Sequence, residues 1–217
     1  MTTYFNVTVL SEWCALAVAI GALDKKTGNW RLFITWLSLS LCTETIGWYL
    51  HNFKGMIPNA LPFNILMILR SLFLISFFSS HSGRFLPLFK SFLVIFIIGA
   101  VLNLLFFQGF WQYNFYSESL ADLMLIILCC RHLLALVTQP EYINLLSSEY
   151  FWLSIGLLFY SMGSAFLYNF YNLLAEYRRE TGVNVGLYLN YGLNILLSSC
   201  LIIAFICRRK TTRSLPG

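Results

Sequence analysis

The sequence predicts an all-α integral membrane protein. It reads as one domain over 1–217, with seven transmembrane helices, the N-terminus outside, the C-terminus inside and a parallel 3+1+3 repeat. Three observations carry this. First, the 217 residues are 59% hydrophobic and only 11% charged, with a mean hydropathy of +0.72, whereas a soluble domain is ~25% charged. A soluble enzyme of this composition would lack the polar side chains to cover its surface. A disordered chain is excluded, because this much apolar surface must be buried. Second, the apolar residues fall in seven runs close to the ~20 residues that a spanning helix needs. Third, the Lys and Arg residues are distributed unevenly between alternate loops.

The runs are 5–23, 31–52, 59–80, 84–107, 114–137, 149–173 and 184–207. They are too long and too uniformly apolar for transmembrane β-strands, which are ~10-residue alternating segments. Each linker carries a breaker: Gly28, Pro58, Gly83, Gly109, Pro140 and Gly182 in turn. The first run has no basic stretch ahead of it and Lys25 and Lys26 behind it, so it reads as a retained helix rather than a cleaved signal.

Lys25, Lys26, Arg31, Arg84, Lys90, Arg208, Arg209, Lys210 and Arg213 fall on one side of the membrane. Lys54, Arg178 and Arg179 fall on the other. The positive-inside rule therefore places the C-terminus in the cytoplasm. The basic tail at 208–210 reads as a juxtamembrane contact with anionic lipid, and nothing else suggests nucleic acid. Residence in a bacterial inner (cytoplasmic) membrane follows as the expected localisation.

The two halves resemble each other. Helix 2 reads WLSLSLCTETIGWYLHNF from Trp36, and helix 6 reads WLSIGLLFYSMGSAFLYNF from Trp152. Ser11-Glu12 in helix 1 matches Ser117-Glu118 in helix 5, and Asn64-Ile65-Leu66 in helix 3 matches Asn194-Ile195-Leu196 in helix 7. Repeat A is then 5–80, repeat B is 114–207, and helix 4 (84–107) connects them. One connecting helix returns the chain to its starting side, so the repeats are parallel, with their pseudo-axis along the membrane normal.

Ionisable groups at the centre of a bilayer cost ~2.5–3.5 kcal/mol each, so they face a bundle interior or water. The predicted topology puts Glu12, Asn64, Glu118, Asp122, Asn190 and Asn194 in the outer half, with Glu44 past the midpoint of helix 2. Arg70 lies deepest, ~17 Å into helix 3 at ~1.5 Å per residue. Glu118 and Asp122 share a face of helix 5 at i, i+4, as do Asn190, Asn194 and Ser198 on helix 7. Glu44, Trp48 and His51 share a face of helix 2. An outward-opening polar pocket floored by Arg70 satisfies them all. The candidate ligand-binding residues are Glu12, Glu44, Asn64, Arg70, Glu118, Asp122, Asn190 and Asn194. Glu44 or Asp122 is the expected partner of Arg70. Two carboxylates one turn apart in low dielectric either share a proton or meet a cation. A structural network of buried ion pair and interhelical hydrogen bonds is the competing reading.

No metal site or cofactor is expected. His51 is near the outer face, while His81 and His132 are toward the inner one, so they cannot share a zinc ion. No H-E-x-x-H, G-x-S-x-G or P-loop pattern occurs, so no catalytic residue is assigned. The six cysteines all lie in apolar helices and read as packing residues. Trp30, Trp111, Tyr113, Tyr116, Trp152, Tyr168 and Tyr171 read as an aromatic belt. Gly99, Ala100, Asn103, Gly156, Gly163 and Ser164 read as small residues that allow close helix packing.

The stretches YSESLADLMLIILCCRHLL, FWLSIGLLFYSMGSAFLYNF and LNYGLNILLSSCLIIAF resemble a group of small seven-helix proteins of Bacteroidetes. The likeness is best over 114–206. It differs at helix 3, where that group carries Glu and this chain has Arg70. The resemblance implies a sensory role beside a partner such as a sensory kinase. The 3+1+3 arrangement is also similar to the superfamily that includes SWEET-type sugar transporters, PnuC-type vitamin transporters and rhodopsin-like receptors. Helix 7 has no Lys for a retinal Schiff base. The expected function is a non-enzymatic sensor or accessory protein with an outward-facing pocket. A small-solute or proton- or cation-coupled transporter and a structural membrane subunit are the alternatives. Expected partners are the bilayer, a small-molecule ligand and a cytoplasmic or membrane protein. Transport would need a polar path to the inner side, for which Arg131 and His132 are the candidates.

Overall fold

The computed structural model describes residues 7–23, 25–53, 60–81, 86–107, 112–138 and 144–214. They form eight α-helices, and no strand occurs among the described residues. The order is α1 (Val7–Ala22), a 3₁₀ segment (Lys25–Arg31), α2 (Leu32–Phe53), α3 (Ala60–His81), α4 (Leu86–Leu102) with a π turn (Asn103–Phe107), and α5 (Phe115–Val137). A 3₁₀ turn (Leu145–Ser147), α6 (Glu149–Asn169), α7 (Tyr171–Thr181) and α8 (Val185–Ser214) follow. Pro58, Gly83, Gly109, Pro140, Lys54, Arg84 and Trp111 lie outside the described residues.

Five helical stretches are long and apolar enough to cross a membrane: Ala60–Phe78, Lys90–Phe107, Phe115–Val137, Glu149–Asn169 and Val185–Arg213. Helix α1 is equally apolar but has 16 residues, and α2 has 22, which is ~33 Å at ~1.5 Å per residue. Large apolar side chains stay on the outside of the bundle, among them Phe106 (73% exposed) and Phe107 (76% exposed). In water such a surface would be a strong liability.

Neighbouring helices close a ring in the order α1–α2–α3–α5–α6–α8 and back to α1. Helix α4 stands outside it against α3 and α5. Accordingly only 17% of the α4 stretch is buried, against 33–39% of the other four. Small residues set the close approaches. A methyl group on Gly156 of α6 would come within 2.6 Å of Cys200 Cβ on α8, and one on Gly99 of α4 within 2.8 Å of Leu120 Cδ2 on α5. Gly163 is likewise pressed against Leu193 of α8.

One end of the ring is filled by an aromatic cluster. Trp30 meets Phe77 and Tyr150 with centroids 5.4 Å apart in each case, and Phe33 meets Phe73 at 5.0 Å and Phe205 at 5.8 Å. Such pairs contribute ~0.5–1.5 kcal/mol each beyond area burial. The chain reaches this position because Gly28 takes φ 61 and ψ −130, a conformation that side-chain-bearing residues avoid. Trp30 is therefore not a belt residue: it is 1% exposed. The Arg208 guanidinium lies 5.9 Å from the Trp30 ring centroid and donates to Glu149 Oε1 at 3.0 Å. The first Arg of the basic tail thus joins α8 to α6, while Arg209, Lys210 and Arg213 remain exposed.

The run predicted at 149–173 is interrupted. Phe170 leaves helical geometry at φ −102, ψ 15. Tyr171–Thr181 then forms α7, an amphipathic helix absent from the sequence reading. Gly182 ends it at φ 74, with its N–H donating to Arg178 O at 2.9 Å, a left-handed C-cap. All six cysteines are free.

Candidate functional site

At the end of the ring where α3, α5 and α8 begin, the helices part around a cavity of about 430 Å³. Thr8 and Glu12 reach it from α1, and Trp36, Ser40 and Glu44 from α2. Both sets are spaced one turn apart, so each helix presents one continuous face. Arg70 comes from α3, Glu118 from α5, Tyr160 and Tyr168 from α6, and Asn190 and Asn194 from α8.

Six of the eight candidate residues line this space: Glu12, Glu44, Arg70, Glu118, Asn190 and Asn194. Asp122 and Asn64 do not. Asp122 is 0% exposed and sits behind Arg70, with Oδ1 3.9 Å from Nη2. Ser161 and Ser164 of α6 stand beside its carboxylate. Asn64 is 3% exposed and works on the backbone. Its Nδ2 donates to Gln112 O at 2.9 Å, and its Oδ1 accepts from Asn114 N–H at 3.1 Å. It thereby fixes the segment that carries Tyr113 into the cavity wall. Asn103, in the π turn after α4, holds the same segment from the other side, donating to Asn114 Oδ1 at 3.1 Å and Ser117 Oγ at 2.9 Å.

The partner of Arg70 is Glu118, through a direct Nη2–Oε1 ion pair. The expectation of Glu44 is corrected, and Asp122 is the secondary contact. The reason is helix order: α5 is packed against α3, so the i, i+4 carboxylate face of α5 meets Arg70 head-on. Arg70 Nη1 also donates to Tyr160 Oη at 3.3 Å. The side chain of Arg70 is 13% exposed and that of Glu118 is 2% exposed, so the pair is largely withdrawn from solvent. Buried pairs of this kind are costly to break one-sidedly.

The other acidic wall is different. Glu12 Oε2 accepts from Ser40 Oγ at 3.1 Å, and Glu44 lies within electrostatic reach of Glu12. Neither has an ion-pair partner among the described residues. Asn194 Nδ2 donates to Asn190 O at 2.8 Å and Oδ1 at 3.1 Å, and Ser198 lies 3.2 Å from Ser11 across the α1–α8 contact. The side chains of Trp48 and His51, expected on the same face as Glu44, lie outside the described residues.

Sequence reasoning missed the aromatic walls. Tyr113 and Tyr168, expected in a belt, pack together in the cavity wall with their hydroxyls 3.0 Å apart. Burial, with Glu118 nearby, pushes the Tyr113 phenol well above its usual range. Tyr116 and Tyr171 are exposed as a belt requires, and Trp152 donates to Leu146 O at 2.9 Å. A second cavity of about 630 Å³ opens between α6, α7 and α8 and shares Tyr160, Tyr168 and Asn190 with the first.

Among the described residues the lining of this cavity does not include the groups expected to carry a polar path toward the opposite end. His132 packs edge-on against Phe78 and Tyr150, with centroids 5.5 Å away in each case, and neither it nor Arg131 lines the cavity. Among the described residues no group of three or more His, Cys, Asp or Glu could hold a metal ion. No family model matches the chain, and neither a curated protein nor a solved structure does.

Proposed function

We propose that this chain is a seven-span protein of a bacterial inner membrane that binds a small molecule in the cavity between α1, α2, α3, α5, α6 and α8. It acts as a non-enzymatic sensor or accessory subunit. The observation that carries the reading is the cavity itself: about 430 Å³, within the range of small-ligand pockets, lined by charged and aromatic side chains from six helices. A bundle held together only by satisfied hydrogen bonds has no need of a space with two carboxylates on its wall that lack cationic partners among the described residues.

The neighbour pattern supports the parallel repeat. Contacts α1–α2, α2–α3 and α3–α5 have counterparts in α5–α6, α6–α8 and α8–α1, with α4 as the outlying connector. Glu12 and Glu118, matched in the two halves, both reach the same cavity. The charge distribution supports an N-out, C-in orientation, in which the cavity opens outward. The resemblance to the seven-helix group of Bacteroidetes supports signalling through a partner such as a sensory kinase.

Transport is the second reading, favoured by the six-helix ring around a shared site. The aromatic cluster of Trp30, Phe33, Phe77 and Phe205 stands in the path it would need. The test is a thermal-shift screen of the detergent-purified full chain against a metabolite panel, beside Asn194→Trp. Among the described residues Asn194 makes its side-chain bonds within α8, so the bulky side chain fills the cavity and spares the ion pair. At least one compound is expected to raise Tm in the parent protein and not in the variant. A panel without effect on the parent overturns the binding reading. Flux of the active compound into liposomes would replace the sensor with a transporter.

A further inference from the structure

We infer that the cavity takes a small organic cation, with an ammonium group held between Glu12 and Glu44 and its apolar part against the aromatic walls. This rests on the cavity being a binding site and adds the chemical class of its ligand. Among the described residues three carboxylates line the space, from Glu12, Glu44 and Glu118, against one cation, Arg70. That guanidinium is already engaged by Glu118, Asp122 and Tyr160. The charge left over is negative and lies on the α1–α2 side. Among the described residues Glu12 accepts only from the Ser40 hydroxyl, and Glu44 makes no hydrogen bond or ion pair.

A second observation points the same way. The Thr8 hydroxyl, one turn before Glu12 on the same wall, is buried at 6% exposure and has no hydrogen-bond partner among the described residues. A buried hydroxyl left unsatisfied is costly. An N–H donor placed beside Glu12 supplies what it lacks. The remaining walls suit the rest of such a molecule: Trp36 on the acidic side, with Phe63, Tyr160 and Tyr168 around it. Aromatic faces attract ammonium groups, most strongly where water is excluded. An anionic ligand would meet three carboxylates and an arginine whose two terminal nitrogens are already engaged.

The test uses the detergent-purified full chain and three probes of one shape: 2-phenylethylamine, 2-phenylethanol and phenylacetate, with tetramethylammonium as a second cation. The amine is expected to raise Tm by mass action and the alcohol and carboxylate are not. Glu12→Gln or Glu44→Gln is expected to weaken amine binding about tenfold or more, equivalent to ~1.4 kcal/mol. Both variants keep an amide oxygen where the carboxylate was, so the Ser40 contact survives and the fold with it. Glu176→Gln on the exposed face of α7 is expected to change nothing. Equal shifts with amine and alcohol, a preference for phenylacetate, or undiminished binding in both glutamine variants overturns the cation assignment. Where Asn194→Trp still blocks that alternative binding, the cavity remains a ligand site and only the ligand class is wrong. No shift with either cation also overturns the assignment, and the metabolite panel then decides the cavity reading separately.

Discussion

At the residue scale, Arg70 is the most consequential side chain. It sits in the middle of α3, and Glu118 and Asp122, 2% and 0% exposed, depend on it for neutralisation. Removing one member of a buried pair typically costs ~3–5 kcal/mol, because the remaining charge is stranded. Arg70→Met alone is therefore expected to lower stability by about that amount, while Arg70→Met combined with Glu118→Gln and Asp122→Asn recovers most of it. Unfolding in detergent, followed across the single and combined variants, measures the coupling. Glu12→Gln is expected to change stability by less than ~1 kcal/mol, since its hydrogen bond from Ser40 can be kept. Trp30→Ala is expected to cost ~3–5 kcal/mol, the range for emptying a large aromatic site. A belt tryptophan would cost far less.

At the scale of elements, the helix positions were legible in the sequence because an apolar run of fixed length is a local signal. The predicted starts of α3, α5, α6 and α8 lie within a residue of those observed. Shared faces were legible too, since i, i+4 spacing depends only on the helix. That is why Glu118 and Asp122 were placed together correctly. What spacing cannot give is which helix stands opposite a face. The choice of Glu118 over Glu44 for Arg70 follows from α3 lying beside α5, a tertiary fact. Trp30 was misplaced for the same reason: the Gly28 turn folds it inward. Helix α7 was missed because an amphipathic segment of 11 residues does not resemble a span. The α6–α8 contact is open to a direct test. Gly156→Leu is expected to push α6 from Cys200 and cost ~1–3 kcal/mol, as overpacking does. Gly192→Leu, with nothing within 4 Å of the added carbon, is expected to be close to neutral. Thermal melting of the two variants separates a close helix contact from a general intolerance of bulk.

At the scale of the whole molecule, the ring of six helices has two unlike ends. One is packed with aromatic rings around Trp30, and the other opens into an acidic, aromatic-walled cavity. That asymmetry makes binding a better fit than a continuous pore. It also ties function to orientation, because a cavity at the N-terminal ends of α3, α5 and α8 faces outward only if the N-terminus does. A cytoplasmic reporter fused after Ser214 is expected to be active, and one that works only outside the cell to be silent.

The most direct measurement combines cavity and orientation. An Asn194→Cys protein with its six native cysteines replaced by Ala, which keeps both Glu12 and Glu44 on the cavity wall, would be treated, in intact cells, with a small membrane-impermeant cationic thiol reagent. Rapid labelling that 2-phenylethylamine slows is the expected result, since the thiol would stand on the wall of an outward-opening site for cations. Labelling only after the membrane is permeabilised, or none at all, would contradict an outward-facing binding cavity.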